Sequence, residues 1–295
     1  MLVRYKLPFH YLFACIWLDY AITFFLAIVS FITFRVTNLP LIPLSIPAFL
    51  GTSISLLLAF KLSQSYDRWW EARKIWGAIV NDSRTLALQV RNFYRGDDLD
   101  RPNRIAKRQI AWVYSLGQTL RDMDPIANIE CLIDANELNE VKQFKNVPYA
   151  LINKHGQDLK KLYSEGQYNE YQQVQIDETL VRLVDSMGKA ERIKKTVFPT
   201  TYRVFLRLFT FVFILMLSIA LAETDGIWEI PILMLIAGPF FLMEKTAFFL
   251  QDPFQNRPTD TPVTSIAKTI DVDIRQIIGN QQFPEPEKVQ GFYLM

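Results

Sequence analysis

The chain has 295 residues, a formal net charge of +2 and a hydrophobic fraction of 50%. This length suggests one or two domains. Two cysteines, Cys15 and Cys131, are too few for a disulfide framework or a cysteine-rich metal site. His10 and His155 are the only histidines, which excludes a multi-histidine metal site, and we expect both to be ordinary interfacial or surface residues. The arrangement of the apolar residues is more informative than these counts.

Four apolar runs divide the chain. Residues 12–34, 41–60, 204–222 and 228–250 are each about 20 residues long, which is the length that an α-helix needs to cross a hydrocarbon core of about 30 Å. Four such runs in one chain favour an integral membrane protein over a soluble protein with buried helices. The first run is too long and too aromatic for a secretory signal, and no A-x-A-like cleavage site follows it.

The distribution of lysine and arginine predicts the orientation of these spans, because short segments rich in them stay in the cytoplasm. The N-terminal flank carries Arg4 and Lys6, and the polar middle and the final segment are also rich in basic residues. The short loops at 35–40 and 223–227 are poor in them. We therefore expect a multi-pass protein of the inner (plasma) membrane with both termini and the middle segment in the cytoplasm.

The polar middle segment is predicted to be helical. Apolar residues recur at helical spacing in 66–94, 104–121 and 171–193, and no sustained alternation suggests a strand. A last amphipathic helix is expected at 263–278, docked on the cytoplasmic helices. The predicted organisation has four parts: 1–60 with the first two spans, 61–203 as a helical cytoplasmic region, 204–250 with the last two spans, and 251–295 as a cytoplasmic C-terminal segment.

The second span differs from a plain lipid anchor. Three prolines interrupt its first third, so that a regular helix can begin only near Pro47. Beyond that point Thr52, Leu56 and Phe60 fall four residues apart on one face. If several copies of this helix surrounded an axis, the three side chains would form stacked, mostly apolar rings. A pore lined by such rings conducts ions only when it is wide enough to stay filled with water. One helix per subunit cannot line a pore, so this arrangement requires an oligomer. The alternative is a packing or lipid-facing seam.

Four ionisable residues lie within the other spans: Asp19, Arg207, Glu244 and Lys245. On the predicted topology all four are nearer the cytoplasmic side. Snorkelling, or pairing of Asp19 with Arg207, would then offset their cost in the membrane without any transport role. We favour this structural interpretation.

Three segments resemble the bestrophin family of ion channels, including its bacterial homologues. They are AFKLSQSYDRWWEARKIWGAIVNDSR at 59–84, ERIKKTVFPTTY at 191–202 and DPFQNRPTDTP at 252–262, and the resemblance extends from about residue 5 to 280. The most specific block is the tyrosine-aspartate-arginine-tryptophan sequence. The signature residues are Tyr66, Asp67, Arg68, Trp69, Trp70, Glu71, Asp252, Pro253 and Phe254.

The resemblance implies an all-α integral membrane protein with four transmembrane helices and a helical cytoplasmic domain. It implies a homopentamer around one axial pore, with a hydrophobic neck formed by Thr52, Leu56 and Phe60. It also implies a second, cytoplasmic constriction, for which Ile193 is the best match.

Two departures from the family pattern matter. Thr52 stands where an aliphatic residue is common, so this neck is expected to be wetter and less tightly closed. Animal members hold Ca²⁺ with consecutive acidic residues after the proline-phenylalanine pair, whereas the stretch 255–260 here has one carboxylate, Asp260, and an arginine. Because these cannot replace a cage of hard oxygen ligands, we expect no Ca²⁺ clasp and no other cofactor or metal.

The resulting functional hypothesis is a channel for small monovalent ions, with anions such as chloride favoured. An apolar neck carries no sign of charge, so a sodium-selective channel of the same fold and a non-conducting membrane scaffold stay open as alternatives.

No G-x-S-x-G, Gly-rich phosphate loop or H-E-x-x-H motif supports an enzyme. Asp67 and Glu71 share a helical face, but the neighbouring cations favour a salt-bridged surface over paired catalytic carboxylates. A basic flank beside a membrane span is expected in any case, so no nucleic-acid partner is predicted.

Overall fold

A computed structural model describes residues 8–37, 40, 42–196, 199–222, 226–287 and 292–293. Over these residues the chain is helical and forms no β-strand. The predicted basic flank at Arg4 and Lys6 and part of the predicted loop at 223–227 lie outside the described residues. The helices are α1 (Phe9–Val36), α2 (Ser45–Asn92), α3 (Asp100–Leu120), α4 (Ala135–Val141), α5 (Val147–Ser164), α6 (Glu170–Lys195), α7 (Thr200–Leu221), α8 (Glu229–Gln251) and α9 (Val263–Ile277), with a 3₁₀ turn at Gly226–Trp228.

Four of the described helices are long and apolar enough to cross a membrane: α1, α2, α7 and α8. They coincide with the four predicted spans, which confirms the all-α class and the four candidate membrane helices. α2 begins at Ser45 with Pro47 in its first turn, where a missing backbone N–H is tolerated. This helix has 48 residues and is about 72 Å long at a rise of about 1.5 Å per residue. It therefore carries both the second span and the 66–94 segment without a break.

Local signals explain where the helices of the middle segment begin and end. The side chain of Asn146 accepts a hydrogen bond from the backbone N–H of Tyr149 at the start of α5. α5 is followed by Gly166, whose φ of +75° suits glycine after a helix end. α6 begins with a reciprocal capping box between Asn169 and Gln172. Gly166 thus separates α5 from α6.

The chain divides into two compact units. We call the first the membrane unit; it contains the described residues up to Trp69 and those from Pro199 to Asp252. We call the second the helical unit; it contains Trp70–Thr196 and the described residues from Pro253 onward. The predicted four-part organisation divides the chain at the membrane surface, whereas these two units are groups of residues that contact each other. The four-part organisation therefore stays a prediction.

The core of the membrane unit lies between α1, α2, α7 and α8. Ile54 and Leu58 of α2 pack with Phe213 and Ile214 of α7 and with Phe241 of α8. Close approach of α2 to α7 requires a small residue, because a Cβ atom on Gly51 would lie 2.9 Å from the Phe213 ring. The small residue therefore fixes how α2 packs against α7.

The core of the helical unit is centred on α3, whose residues are mostly buried. Ile266, Ile270 and Ile274 of α9 are buried in the same core, which confirms that the amphipathic C-terminal helix docks on the helices of the middle segment. His155 of α5 is 0% exposed. The expectation that it lies at the surface is therefore wrong, because α5 turns this side chain inward, toward buried Arg108 of α3.

Candidate functional site: an apolar stripe on α2

Thr52, Leu56 and Phe60 lie one turn apart on α2 and are exposed in the single chain. Leu56 is 58% exposed and Phe60 57% exposed, whereas Ile54 and Leu58 are only 3% and 1% exposed. α2 is thus held by one face against the membrane unit, and the opposite face carries the three predicted residues. We call these three residues the neck stripe.

The polar atoms near the neck stripe are bonded within α2. The Thr52 hydroxyl donates to the carbonyl oxygen of Ala48 at 2.9 Å, and the Ser55 hydroxyl donates to that of Gly51 at 2.8 Å. No ionisable residue occurs between positions 45 and 60. The stripe therefore offers an apolar surface interrupted by a single hydroxyl oxygen at Thr52.

The first charge after the neck stripe belongs to Lys61, which is turned away from it. Lys61 is 4% exposed, and its ammonium donates to Oε1 of Gln251 at 2.6 Å. Sequence reasoning missed this pair. A signal was present, because Lys61 lies within the resemblance segment at 59–84 and Gln251 directly precedes the segment at 252–262.

The two signature segments meet inside the membrane unit. The guanidinium of Arg68 lies 3.9 Å from the carboxylate of Asp252, and the rings of Tyr66 and Trp69 are 6.0 Å apart. Asp67 is exposed. Together these contacts give the Tyr-Asp-Arg-Trp block a structural role, since Arg68 connects α2 to the end of α8.

The remaining signature residues lie in the helical unit. Trp70 is 46% exposed, and Glu71 lies 3.2 Å from the guanidinium of Arg192 on α6. Phe254 is 1% exposed in the core, and the Pro253 carbonyl accepts from the backbone N–H of Thr261 at 3.2 Å. Trp70 is thus the signature residue in this unit with a large exposed apolar surface.

Asp260 organises the loop between α8 and α9. Its Oδ2 accepts the backbone N–H groups of Gln255 and Arg257 at 2.5 and 3.1 Å, and the residue is 1% exposed. Burial raises the pKa of the Asp260 carboxyl, and the two backbone hydrogen bonds oppose that rise. The carboxylate thus serves as an acceptor for its own loop. Among the described residues no group of three or more acidic, cysteine or histidine side chains could hold a metal ion.

Ile193, the predicted cytoplasmic constriction residue, is 4% exposed and packs in the core of the helical unit. A residue that narrows a pore must present its side chain to the axis, so this burial weighs against Ile193. The assignment stays a prediction.

A charge cluster lies in the membrane unit. Asp19 is 1% exposed and forms an ion pair with Arg207. Lys245 lies 3.6 Å from the other carboxylate oxygen of Asp19. The predicted Asp19–Arg207 pairing is confirmed, and the structure adds Lys245 as a second partner.

The described residues thus contain four helices that are long and apolar enough to cross a membrane, and one of them, α2, carries an exposed apolar stripe. The sequence profile described as Bacterial/Fungal Bestrophin protein matches residues 6–276. The chain therefore belongs to the bacterial and fungal bestrophin family, which is a family of ion channels.

Relatives and solved structures agree with this assignment. A protein of Nostoc sp. PCC 7120 named voltage-dependent anion channel-forming protein is 30% identical over 222 residues, which cover 74% of this chain and 72% of the relative. A protein of the same name from Escherichia coli K12 is 26% identical over 235 residues, covering 80% and 77%. The crystal structure of a bestrophin homologue from Klebsiella pneumoniae has the same fold, with a TM-score of 0.85, 24% identity, and coverage of 90% of this chain and 100% of that chain.

Proposed function

We propose that the protein forms a homopentameric channel for small monovalent anions such as chloride, with Thr52, Leu56 and Phe60 as the hydrophobic neck. The observation that carries the proposal is the exposed stripe on α2, opposite a face that is buried in its own chain. A closed pentamer would bring five such stripes together around one axis. No enzymatic role is proposed, which is consistent with membership of a channel family.

The choice of anions rests on the names of the relatives, because the stripe itself carries no charge. The curated relatives from Nostoc and Escherichia coli are named anion channel-forming proteins. No ionisable side chain lies in the stripe region, and the nearest cation, Lys61, is bonded to Gln251. An uncharged neck admits either sign of ion, so the choice of sign comes from groups outside it. The proposed setting is the inner membrane, with both termini in the cytoplasm.

The proposal is tested with purified protein in liposomes and planar bilayers. Chloride flux is expected in the wild-type protein, and it is expected to rise in Leu56→Ala and Phe60→Ala because smaller rings are easier to keep wet. A matched control is Leu57→Ala, which truncates a neighbouring exposed side chain outside the stripe. Absence of flux from a well-folded oligomer, in wild type and in both stripe variants, would leave the scaffold alternative.

Two further measurements separate the remaining possibilities. Reversal potentials in asymmetric NaCl report whether chloride or sodium carries the current. Native mass measurement reports the number of subunits, and any number other than five would contradict the pentamer.

A further inference from the structure

A cavity of about 610 Å³ lies in the helical unit, apart from the neck stripe. Its walls come from the second half of α3, the segment that follows it as far as Leu132, most of the length of α9 and tail residues that include Pro284 and Glu287. Small-molecule sites have volumes of about 300–1,000 Å³, so this cavity has the size of a ligand site. The proposed conduction past the neck stripe does not use this cavity.

Two ion pairs neutralise most of the charge on the cavity wall. Lys268 lies 2.7 Å from a carboxylate oxygen of Glu287 in the tail. Arg275 lies 2.5 Å from Oδ1 of Asp271, and the Tyr114 hydroxyl donates to Oδ2 of the same residue at 3.1 Å. Each of these cations thus has its own carboxylate.

Arg121 is the cavity cation that lacks such a partner. Its Nε donates to the carbonyl oxygen of Gly117 at 2.9 Å, and its Nη1 donates to the hydroxyl of Thr264 at 2.7 Å. Both acceptors are neutral, and the carboxylates of Asp260 and Glu287 act on the guanidinium only from beyond ion-pair distance. A partly buried guanidinium whose hydrogen-bond partners are all neutral favours an incoming anion, and its planar donor pattern matches a carboxylate.

A second group on the wall is also unsatisfied. Gln118 is 5% exposed; its Nε2 donates to the carbonyl oxygen of Ala127 at 2.5 Å, but its Oε1 has no partner among the described residues. A buried acceptor without a donor is costly. Gln118 lies in the last turn of α3 and Arg121 directly follows that helix, so both line the same end of the cavity.

We propose that this cavity binds a small organic anion that carries a hydrogen-bond donor beside its carboxylate, such as a 2-hydroxy acid or a 2-amino acid. The carboxylate pairs with Arg121, and the neighbouring hydroxyl or ammonium group donates to Oε1 of Gln118. The tail forms part of the wall, so Glu287 contributes a negative charge that opposes the ligand.

Titration calorimetry on the full-length protein in nanodiscs, at constant chloride, tests the wild-type site. The probes are glycolate and glycine, which carry the donor, and acetate, which lacks it. Glycolate or glycine is expected to bind at least about tenfold more tightly than acetate, since a hydrogen bond to a charged or buried group is worth about that much. Equal affinity for acetate, or no binding of any probe, would overturn the proposal without any variant.

Three substitutions assign the binding to named residues. Arg121→Gln is expected to weaken glycolate binding at least about tenfold through loss of the charge-assisted pair. Gln118→Leu is expected to bring the affinities for glycolate and acetate together. Glu287→Gln is expected to strengthen binding, because it removes a competing negative charge. Unchanged affinities in Arg121→Gln or Glu287→Gln would contradict the assignment.

The matched control is Arg104→Gln. Arg104 lies on the same helix, but it is partly exposed, pairs with Asp134 and Asp158, and does not line the cavity. Its substitution is expected to leave binding unchanged. An equal loss in this variant would show a general charge effect and would overturn the site.

A second readout uses Cys131, an exposed thiol on the cavity wall. In a Cys15→Ser background, Cys131 is the remaining thiol, and its rate of labelling by a maleimide is measured with and without glycolate. Protection that saturates with glycolate and is lost in Arg121→Gln is expected. A labelling rate that glycolate does not change would count against occupancy of this cavity.

Discussion

Asp19 on α1 is 1% exposed and forms an ion pair with Arg207 on α7, while Lys245 on α8 lies 3.6 Å from its second carboxylate oxygen. Three membrane helices thus meet at one carboxylate. Removing the buried carboxylate is costly, because Arg207 and Lys245, which are 33% and 24% exposed, lose the negative charge that compensates them. The cluster therefore ties α1, α7 and α8 together.

We expect Asp19→Asn to lower the free energy of unfolding by at most about 3–5 kcal/mol, which is the cost of breaking a fully buried pair, since the partner cations here are partly exposed. Thermal unfolding of the purified protein in one detergent measures the loss. Asp185→Asn is the matched control, because it breaks the exposed pair with Lys189, which contributes at most about 1 kcal/mol. Equal shifts in the two variants would contradict a buried structural cluster.

Thr52 is the polar member of the neck stripe. We expect Thr52→Val to reduce single-channel conductance or open probability severalfold, because replacing the hydroxyl by a methyl group makes an apolar ring harder to wet. Single-channel recording measures the change. Ser53→Ala removes a hydroxyl on the adjacent position of α2, which is bonded to Phe49, and is expected to conduct like wild type. Conduction of Thr52→Val at the wild-type level would argue that position 52 does not face the ion path.

The buried side chain of His155 is expected to make the free energy of unfolding depend on pH. Burial, and to a lesser extent the charge of Arg108, lowers its pKa well below 6.5 in the folded protein. The unfolded chain therefore binds a proton near pH 6.5 that the folded protein does not bind, and stability falls as the pH drops below that value. The expected slope is about 1.4 kcal/mol per pH unit between the folded and unfolded pKa values.

Chemical denaturation between pH 7.5 and 5.5 measures this slope. The slope is expected to flatten in His155→Gln and to persist in His10→Gln, which changes an exposed histidine on α1. A slope that survives in His155→Gln would assign the pH dependence to other groups.

Two substitutions of Asp260 are expected to differ in their effect on thermal stability. Asp260→Ala removes the acceptor of two backbone N–H groups, and each donor left buried costs about 1–3 kcal/mol. Both backbone N–H groups donate to the same oxygen of Asp260, and the amide of Asp260→Asn keeps one oxygen that can accept them. The loss in thermal stability is therefore expected to be much smaller in Asp260→Asn. Equal losses in the two variants would show that the charge, and not the acceptor, holds the loop.

The same loop predicts insensitivity to Ca²⁺. Asp260 uses one oxygen for its own backbone, and the stretch 255–260 supplies no second carboxylate for a cage of hard oxygen ligands. Chloride flux is expected to be equal in millimolar Ca²⁺ and in excess chelator. A Ca²⁺-dependent rise in flux that Asp260→Asn abolishes would reverse this prediction.

Several features were accessible from the sequence because they depend on neighbouring residues. The four spans follow from runs of apolar residues, and the helices of the middle segment follow from apolar periodicity and from breakers such as Gly166. The position of Thr52, Leu56 and Phe60 on one face follows from helical geometry alone. The exposure of that face does not, because it depends on which side of α2 packs against α7 and α8.

The sequence by itself determined the helical membrane class, the family and the residues that share the stripe. The pairing of Asp19 with Arg207 was also within reach of the sequence. Only the tertiary structure decided that Lys61 bonds to Gln251, 190 positions away, that His155 lies inside the helical unit, and that Arg121 has neutral hydrogen-bond partners beside a cavity. The physical reason is distance along the chain. Hydrophobic length and periodicity are local properties, whereas burial and charge pairing are set by helices that meet only after folding.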